Sequence, residues 1–243
     1  MVINIFCDAS IDPNTKLACG GAYIIAQDDN NQFTEIGIKG YLQNNATNNS
    51  AEILAIWAGV TEAISLRQLY PHAVFRLFSD SKISIYGVRD WIRDWIMKMR
   101  HDGTLISSSG KPVMNQQRFI DVFNIIVEHH FPIEFYHQRG HVNDGRVSIE
   151  EARRTFISTN KCTPEMLGLD MTTLCNCNNI IDRYTRDSIY EFIDHNILKP
   201  GIYFEGVHPM EFKIRANRLR EYMDLINKKS VRSRHNFKGG FNQ

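Results

Sequence analysis

The sequence lacks long apolar segments, an excess of charge of either sign, internal repeats and any sign of a disulfide framework. No apolar run within its 243 residues approaches the roughly 20 residues that a transmembrane helix needs, so we expect no membrane association. The formal net charge of +1 at pH 7 does not by itself indicate nucleic-acid binding. Five cysteines is an odd number, and Cys175 and Cys177 lack a second pair at the spacing of zinc ligands, which favours free thiols.

These absences favour a protein of a reducing compartment. The apolar pattern begins directly after Met1, which is not the pattern of a secretory signal peptide. We therefore expect a cytoplasmic or nucleoid-associated protein that is not secreted.

The apolar pattern that is present predicts an α/β fold. Short apolar stretches bounded by turn residues predict five strands, at residues 1–8, 20–26, 33–41, 74–79 and 132–136. Three strands in succession are typical of an antiparallel meander, whereas a helix between the third and fourth predicts a parallel crossover. The sequence therefore predicts a five-stranded mixed sheet, with three antiparallel strands followed by parallel strands, flanked by helices.

Composition divides the chain into a main domain at residues 1–196 and a C-terminal extension at 197–243. Residues 143–177 are polar and are interpreted as an insertion within the main domain. The extension has one apolar helical face, formed by Phe212, Ala216, Leu219, Met223 and Ile226. Its last part, residues 228–243, is basic and is either a solvated tail or an arm for nucleic acid, and the extension could also dock a protein partner.

Four acids stand at positions where folding could bring them together. Asp8 lies at the end of the first strand, Asp80 follows the fourth, and Asp182 is expected near the start of a late helix. Glu52 opens the first long helix, three residues after an expected N-cap at Asn49. Glu52 has an ordinary local explanation as a capping-box residue, and Asp80 has one as a helix N-cap, but four converging carboxylates would repel one another unless a divalent cation lay among them.

Aromatic and basic residues alternate in a projecting helix and loop at residues 86–117. Trp91 and Trp95 are four residues apart, and Arg93 and Lys111 contribute positive charge. Two interpretations remain open: a solvated helix whose tryptophans pack inward, or a basic arm that contacts a phosphate backbone.

Six motifs follow one another between Met1 and about Asn196. They are Cys7-Asp8-Ala9-Ser10, Thr47–Glu52, Ser79-Asp80-Ser81, the Trp91–Trp95 and Gly110–Asn115 segments of the projecting helix and loop, Arg139-Gly140-His141, and Asn178-x-x-x-Asp182. In this order they resemble the motifs of type 1 ribonuclease H, including its basic protrusion. The resemblance implies the ribonuclease H fold. It also implies an endonuclease that cuts the RNA strand of RNA–DNA hybrids and leaves 5′-phosphate and 3′-hydroxyl ends.

The resemblance further implies a role for individual residues. Asp8, Glu52, Asp80 and Asp182 would bind two Mg²⁺ ions, with Mn²⁺ as a possible substitute, and His141 would move protons or assist product release. Ser10, Asn48, Asn49 and Asn178 would contact the hybrid, as would Trp91, Arg93, Trp95 and Lys111 of the protrusion. We expect a monomer.

Three departures from the family pattern leave alternatives open. Ala9 replaces a glycine, the gap between His141 and Asn178 is long, and the extension has no counterpart in the minimal domain. The long gap makes Asp170 and Asp187 competitors of Asp182. A non-catalytic hybrid-binding module and another nuclease on the same fold are the alternative functions.

Overall fold

The computed structural model describes residues 1–142 and 145–204, with only the backbone of Phe204. The expected helix around residues 212–226 and the basic segment 228–243 lie outside the described residues. Within the described part of the chain, no helix is both long and apolar enough to cross a membrane.

The centre of the molecule is a mixed sheet of six strands. They are β1 (Val2–Ile11), β2 (Ala18–Gln27), β3 (Phe33–Gln43), β4 (Val74–Ser79), β5 (Ile133–His137) and β6 (Ile202–Phe204). Their order in the sheet is β5-β4-β1-β2-β3-β6. The β1–β2 and β2–β3 pairs are antiparallel, whereas β1–β4, β4–β5 and β3–β6 are parallel. The predicted mixed topology is confirmed, but the predicted count of five strands is wrong because β6 adds to the edge at β3.

Helices cover both faces of the sheet. They are α1 (Asn48–Leu69), α2 (Lys82–Tyr86), α3 (Ile92–Met97), α4 (Gln116–Glu128), α5 (Ile149–Asn160) and α6 (Met171–His195). A π-helical turn at Gly87–Trp91 joins α2 to α3, and a 3₁₀ turn at Pro164–Leu167 lies between α5 and α6. Alternation along the strands separates the two faces, as expected for a sheet buried on both sides.

The two faces have separate apolar cores. Ile3, Ile5 and Cys7 belong to the core beneath α1 and α4. Phe6 points to the opposite face, where it stacks on Phe78 with ring centroids 5.0 Å apart. That second core also includes side chains of α5, the 3₁₀ turn and the first half of α6. Residues 145–177 therefore form part of a packed layer on the sheet, although their composition is polar.

Two adjacent glycines in β2 allow a helix to lie close to each face. A Cβ at Gly20 would come within 2.6 Å of the Ala55 backbone nitrogen in α1. A Cβ at Gly21 would come within 2.9 Å of both Ile181 and Thr185 in α6. Because Gly21 is the cross-strand partner of Asp8, both helices approach the sheet at the level of that acid.

The strand β6 brings the start of the extension onto the sheet. Ile202 is buried and packs with Leu42 and Ile189. Just before it, Lys199 pairs with Glu191 of α6 at 3.1 Å. The division of the chain at residue 196 stays a prediction, but residues 199–204 contact the main domain directly.

Candidate active site

Three of the four acids meet at the end of the central strands. Asp8, Glu52 and Asp80 each offer a carboxylate oxygen, and these oxygens lie within 4.8 Å of one another. We call these three residues the acidic cluster. They line an open pocket together with residues of the loop after β5 and of α6.

Strand register places the first two acids side by side. Cys7 pairs with Ser79 in the parallel β1–β4 ladder, so the next residue of each chain is Asp8 and Asp80. Asp8 is still within β1, and one of its oxygens accepts a hydrogen bond from the Ala9 backbone N–H at 2.7 Å. Asp80 follows the last residue of β4, at the end of the sheet where sites of parallel strands gather.

Glu52 reaches the cluster from α1 and takes no part in capping the helix. The expected cap at Asn49 is wrong: Thr47 is the N-cap, and its hydroxyl and that of Ser50 each accept from the other's backbone N–H, at 3.1 and 2.8 Å. The helix begins earlier than expected because Thr47 already has the extended backbone of a cap. Glu52 is therefore left one turn inside the helix. Its Oε2 atom is buried and has no hydrogen-bond partner among residues 1–142 and 145–204.

The electrostatics of the cluster are those of crowded, desolvated carboxylates. Burial raises the pKa of Asp8 well above its ordinary value, and the nearby charges of Asp80 and Glu52 add to the shift. Burial, followed by the charge of Asp80, raises the pKa of Glu52 to about 8. Burial also raises the pKa of Asp80, against the lowering effect of His141. Three such groups side by side are unfavourable as anions until a cation compensates them.

The fourth acid, Asp182, lies at the rim of the same pocket. It is in the middle of α6, so the expectation that it begins a helix is wrong. The first half of α6 is rich in asparagine and cysteine, which have low helix propensity, so the sequence does not predict a helix there. Burial of Leu174 and Cys177 in the second core stabilises this half of the helix. Asp182 also pairs with Arg186, one turn later, at 3.1 Å.

The two competitors of Asp182 have other roles in the structure. Asp170 is the N-cap of α6 and accepts from the Thr173 backbone N–H at 2.6 Å. Asp187 faces Lys199, at 4.0 Å. The structure therefore places Asp182 beside the acidic cluster, while its role as a ligand stays a prediction.

The loop after β5 closes the pocket. Arg139 and His141 both line it. Gly140 lies against Asp80 so closely that a Cβ would collide with the Asp80 Oδ2 atom. His141 is exposed and has a left-handed backbone, with φ of 61°. The loop thus holds an imidazole at the mouth of the pocket without filling it.

The sequence of this chain matches the family model of RNase H over residues 1–152, well over half of its length. The chain belongs to the RNase H family. Among the curated proteins, none matches it significantly.

Several solved structures of RNase H proteins are similar to this RNase H family member. LC11-RNase H1, isolated from compost by a metagenomic approach, is 16% identical, with a TM-score of 0.42 over 68% of this chain and 98% of that one. The PFV RNase H domain is 13% identical, with a TM-score of 0.45 over 66% and 92%. The N-terminal RNase H domain of rv2228c from Mycobacterium tuberculosis is 16% identical, with a TM-score of 0.39 over 67% and 99%.

The substrate-binding residues expected from the RNase H resemblance fall into two groups. Asn49, Trp91 and Trp95 line one groove, which also includes Ser84 and Met114; we call it the tryptophan groove. Asn48 is exposed in the first turn of α1. The other expected residues of the protrusion, Arg93 and Lys111, are exposed. Their roles, and the basic protrusion as a binding element, stay predictions.

Two further expected contacts are engaged within the protein. The Ser10 hydroxyl lies 3.2 Å from that of Thr185 in α6. Asn178 lines the pocket, and its Oδ1 atom accepts a hydrogen bond from the side chain of Gln138 at 2.6 Å. Sequence reasoning missed Gln138, although it directly precedes the Arg139-Gly140-His141 motif.

The residues of the acidic cluster fit divalent metal ions. Carboxylate oxygens are the ligands that Mg²⁺ and Mn²⁺ prefer. The unpartnered Oε2 atom of Glu52 and the closely spaced oxygens of Asp8 and Asp80 provide a preformed oxygen set. In this RNase H family member, the geometry is therefore that of a site for hard cations.

Proposed function

We propose that this protein is an endoribonuclease that hydrolyses the RNA strand of RNA–DNA hybrids, leaving 5′-phosphate and 3′-hydroxyl ends. The observation that carries the proposal is the convergence of Asp8, Glu52 and Asp80 in a chain of the RNase H family. A non-catalytic hybrid-binding module would have no need to keep three largely desolvated carboxylates so close together, since their crowding costs stability.

Asp8, Glu52 and Asp80 would hold two Mg²⁺ ions, or Mn²⁺ in their place, with Asp182 as a fourth ligand from the rim. Divalent ions bound there would lower the pKa of an attacking water and would neutralise charge on the leaving 3′ oxygen. The carboxylates from β1, from α1 and from the end of β4 would hold these ions. Asp182 would complete the site after releasing Arg186, to which it is paired.

His141 would move protons at the mouth of the pocket or assist departure of the product. It is exposed, lines the pocket and lies close enough to influence Asp80. An imidazole changes its charge near neutral pH, which suits proton transfer to or from a reacting phosphate ester.

The hybrid would lie across α1, the pocket and the tryptophan groove. Asn48 and Asn49 would hydrogen bond 2′-hydroxyls of the RNA strand, with Ser10 and Asn178 beside them; these hydroxyls distinguish RNA from DNA. Trp91 would contact the DNA strand, with Arg93 and Lys111 near its phosphates. Binding would be largely independent of sequence and would weaken with salt.

We also propose a reducing, cytoplasmic compartment, since all five cysteines are free thiols. The proposed oligomeric state is a monomer. Residues beyond 204 would provide any further contact with nucleic acid or a protein partner.

The proposal is tested by incubating the full chain with end-labelled RNA–DNA hybrid, double-stranded RNA and double-stranded DNA, with Mg²⁺ or with EDTA. The expected result is Mg²⁺-dependent cleavage confined to the RNA strand of the hybrid. Hybrid binding without cleavage would favour the binding module, and cleavage of the DNA strand would favour another nuclease of this fold.

A further inference from the structure

Gln138 lies between two elements that carry acids of the candidate site. It follows the last residue of β5 and is almost completely buried, with 1% of its surface exposed. Its backbone N–H donates to the carbonyl of Ser79, the residue before Asp80, at 3.0 Å. One residue thus extends the β4–β5 ladder up to the point where Asp80 leaves the sheet.

The side chain of Gln138 reaches the other way, to α6. Its amide donates to the Asn178 Oδ1 atom at 2.6 Å, and Asn178 is itself buried. Asn178 lies four residues, about one helical turn, before Asp182. Gln138 therefore makes two hydrogen bonds close to the acids. Its backbone bonds the residue before Asp80, and its side chain bonds a residue one helical turn before Asp182.

His137, the residue before Gln138, makes further hydrogen bonds that hold this end of β5 in place. Asn160, the last residue of α5, accepts from the His137 backbone N–H at 2.9 Å and donates to the His137 carbonyl at 2.7 Å. The ring of His137 in turn lies 3.1 Å from the backbone carbonyl of Asp80. Asn160 of α5 thus holds the end of β5 in place, and the His137 ring connects that end to the backbone of Asp80.

We infer that Gln138 is a positioning residue, which sets the separation between Asp80 on the sheet and Asp182 on α6 and thereby the affinity of the site for divalent metal. The inference rests on the proposed function. Residues that orient metal ligands typically change metal affinity by about 10–100-fold when they are replaced. Gln138 touches neither substrate nor metal in this account, and it acts through Asn178 and Ser79.

The test is calorimetric titration of Mg²⁺ alone into the full chain, without substrate. Gln138→Met keeps an unbranched side chain of similar length and removes the amide. We expect its dissociation constant for Mg²⁺ to rise about tenfold. Should this variant fail to fold, Gln138→Asn, which keeps the amide but shortens its reach, replaces it in the same titration.

The chain offers a matched control for loss of a buried amide pair. Asn4 is fully buried and donates to the Gln27 Oε1 atom at 2.9 Å, near the opposite end of the sheet. The side-chain oxygens Oδ1 of Asn4 and Oε1 of Gln138 both have no hydrogen-bond partner in the described part of the chain. Asn4→Leu should lower the melting temperature by a similar amount to Gln138→Met and leave Mg²⁺ affinity unchanged. Equal loss of Mg²⁺ affinity in both variants would reduce Gln138 to a structural residue.

A double-mutant cycle tests the route through Asn178. Asn178→Ala should weaken Mg²⁺ binding, and adding Gln138→Met should weaken it no further, because the two residues act as one unit. Independent, additive effects would contradict this route. Wild-type affinity in Gln138→Met would overturn the inference but leave the proposed function standing. Absence of Mg²⁺ binding by the wild-type chain would overturn both.

Discussion

Two glutamates on α1 have opposite surroundings. Glu62 is buried, with 8% of its side chain exposed, and its Oε2 atom lies 2.6 Å from the Lys39 ammonium. Glu52, less than three turns earlier, has a buried oxygen without a partner and faces Asp8 and Asp80. A protein that needed only stability would pair both acids, as it pairs Glu62. Glu62 thus stabilises the fold through its ion pair, whereas Glu52 would hold a cation in the proposed function.

The largest expected effect comes from replacing Glu52 with glutamine, and the same replacement at Glu62 tests the comparison. Glu52→Gln should reduce cleavage of the hybrid by about three orders of magnitude, since several kcal/mol of metal-based stabilisation is lost at about 1.4 kcal/mol per tenfold. Glu62→Gln should cleave at nearly the wild-type rate. The measurement is single-turnover cleavage of end-labelled hybrid at saturating Mg²⁺.

In EDTA, the same two variants should differ in stability in the opposite order, because Glu62→Gln, and not Glu52→Gln, should be less stable than the wild type. Glu62→Gln removes an ion pair whose lysine is partly exposed, so we expect a loss of about 1 kcal/mol, or a melting temperature lower by roughly 2–4 °C. Similar losses of cleavage activity in both variants would show that the ion pair with Lys39 does not distinguish a structural glutamate from a metal-binding one.

Two aspartates on α6 extend the comparison, since Asp182 lies at the rim of the pocket and Asp187 is not among its lining residues. Asp182→Asn should lower the cleavage rate by about 10–100-fold, less than Glu52→Gln, because Asp182 lies at the rim of the pocket and is already paired with Arg186. Asp187→Asn should have almost no effect on cleavage, since Asp187 faces Lys199 instead. Loss of activity in Asp187→Asn with full activity in Asp182→Asn would move the fourth ligand.

Two tryptophans four residues apart give a smaller expected effect. Trp91 is 40% exposed, whereas Trp95 is buried and packs edge-on against Phe119 at 5.2 Å. Trp91→Ala should raise KM for the hybrid about tenfold with kcat nearly unchanged, as expected for loss of an aromatic contact in the bound state. Trp95→Ala should instead lower the melting temperature through loss of core packing. Unchanged KM in Trp91→Ala would exclude the tryptophan groove from binding.

Much of the fold could be predicted because its signals are local. Short apolar stretches bounded by turn residues predict β1 to β5, and the spacing of Ile53, Ile56 and Val60 predicts α1. Asp8 and Asp80 could be placed near each other because parallel strands end on the same edge of a sheet. Trp95 packs inward, as one interpretation of the tryptophans expects, whereas Trp91 is 40% exposed; the contact of a basic arm with phosphates stays a prediction.

The rest depends on contacts between distant residues. Six residues separate the end of α6 at His195 from the start of β6 at Ile202, and nothing in this short segment indicates that β6 joins β3. Adjacent glycines in a strand, such as Gly20 and Gly21, indicate that another element approaches the backbone closely. The sequence does not identify these elements until α1 and α6 are known to cross β2 there. The asparagine-rich start of α6 is helical because it is buried against the second core, which local propensity does not report.

The central claim is that the acidic cluster is held for a divalent cation, and thermal unfolding of the wild-type chain and Glu52→Gln, each with EDTA or Mg²⁺, tests it most directly. In EDTA, Glu52→Gln should melt above the wild type, because removing one of three crowded carboxylates relieves their repulsion and desolvation. In Mg²⁺ the order should reverse, because only the wild type gains binding energy, about 2.7 kcal/mol at a hundred times the dissociation constant. A wild type that melts above Glu52→Gln in EDTA and does not respond to Mg²⁺ would contradict the claim.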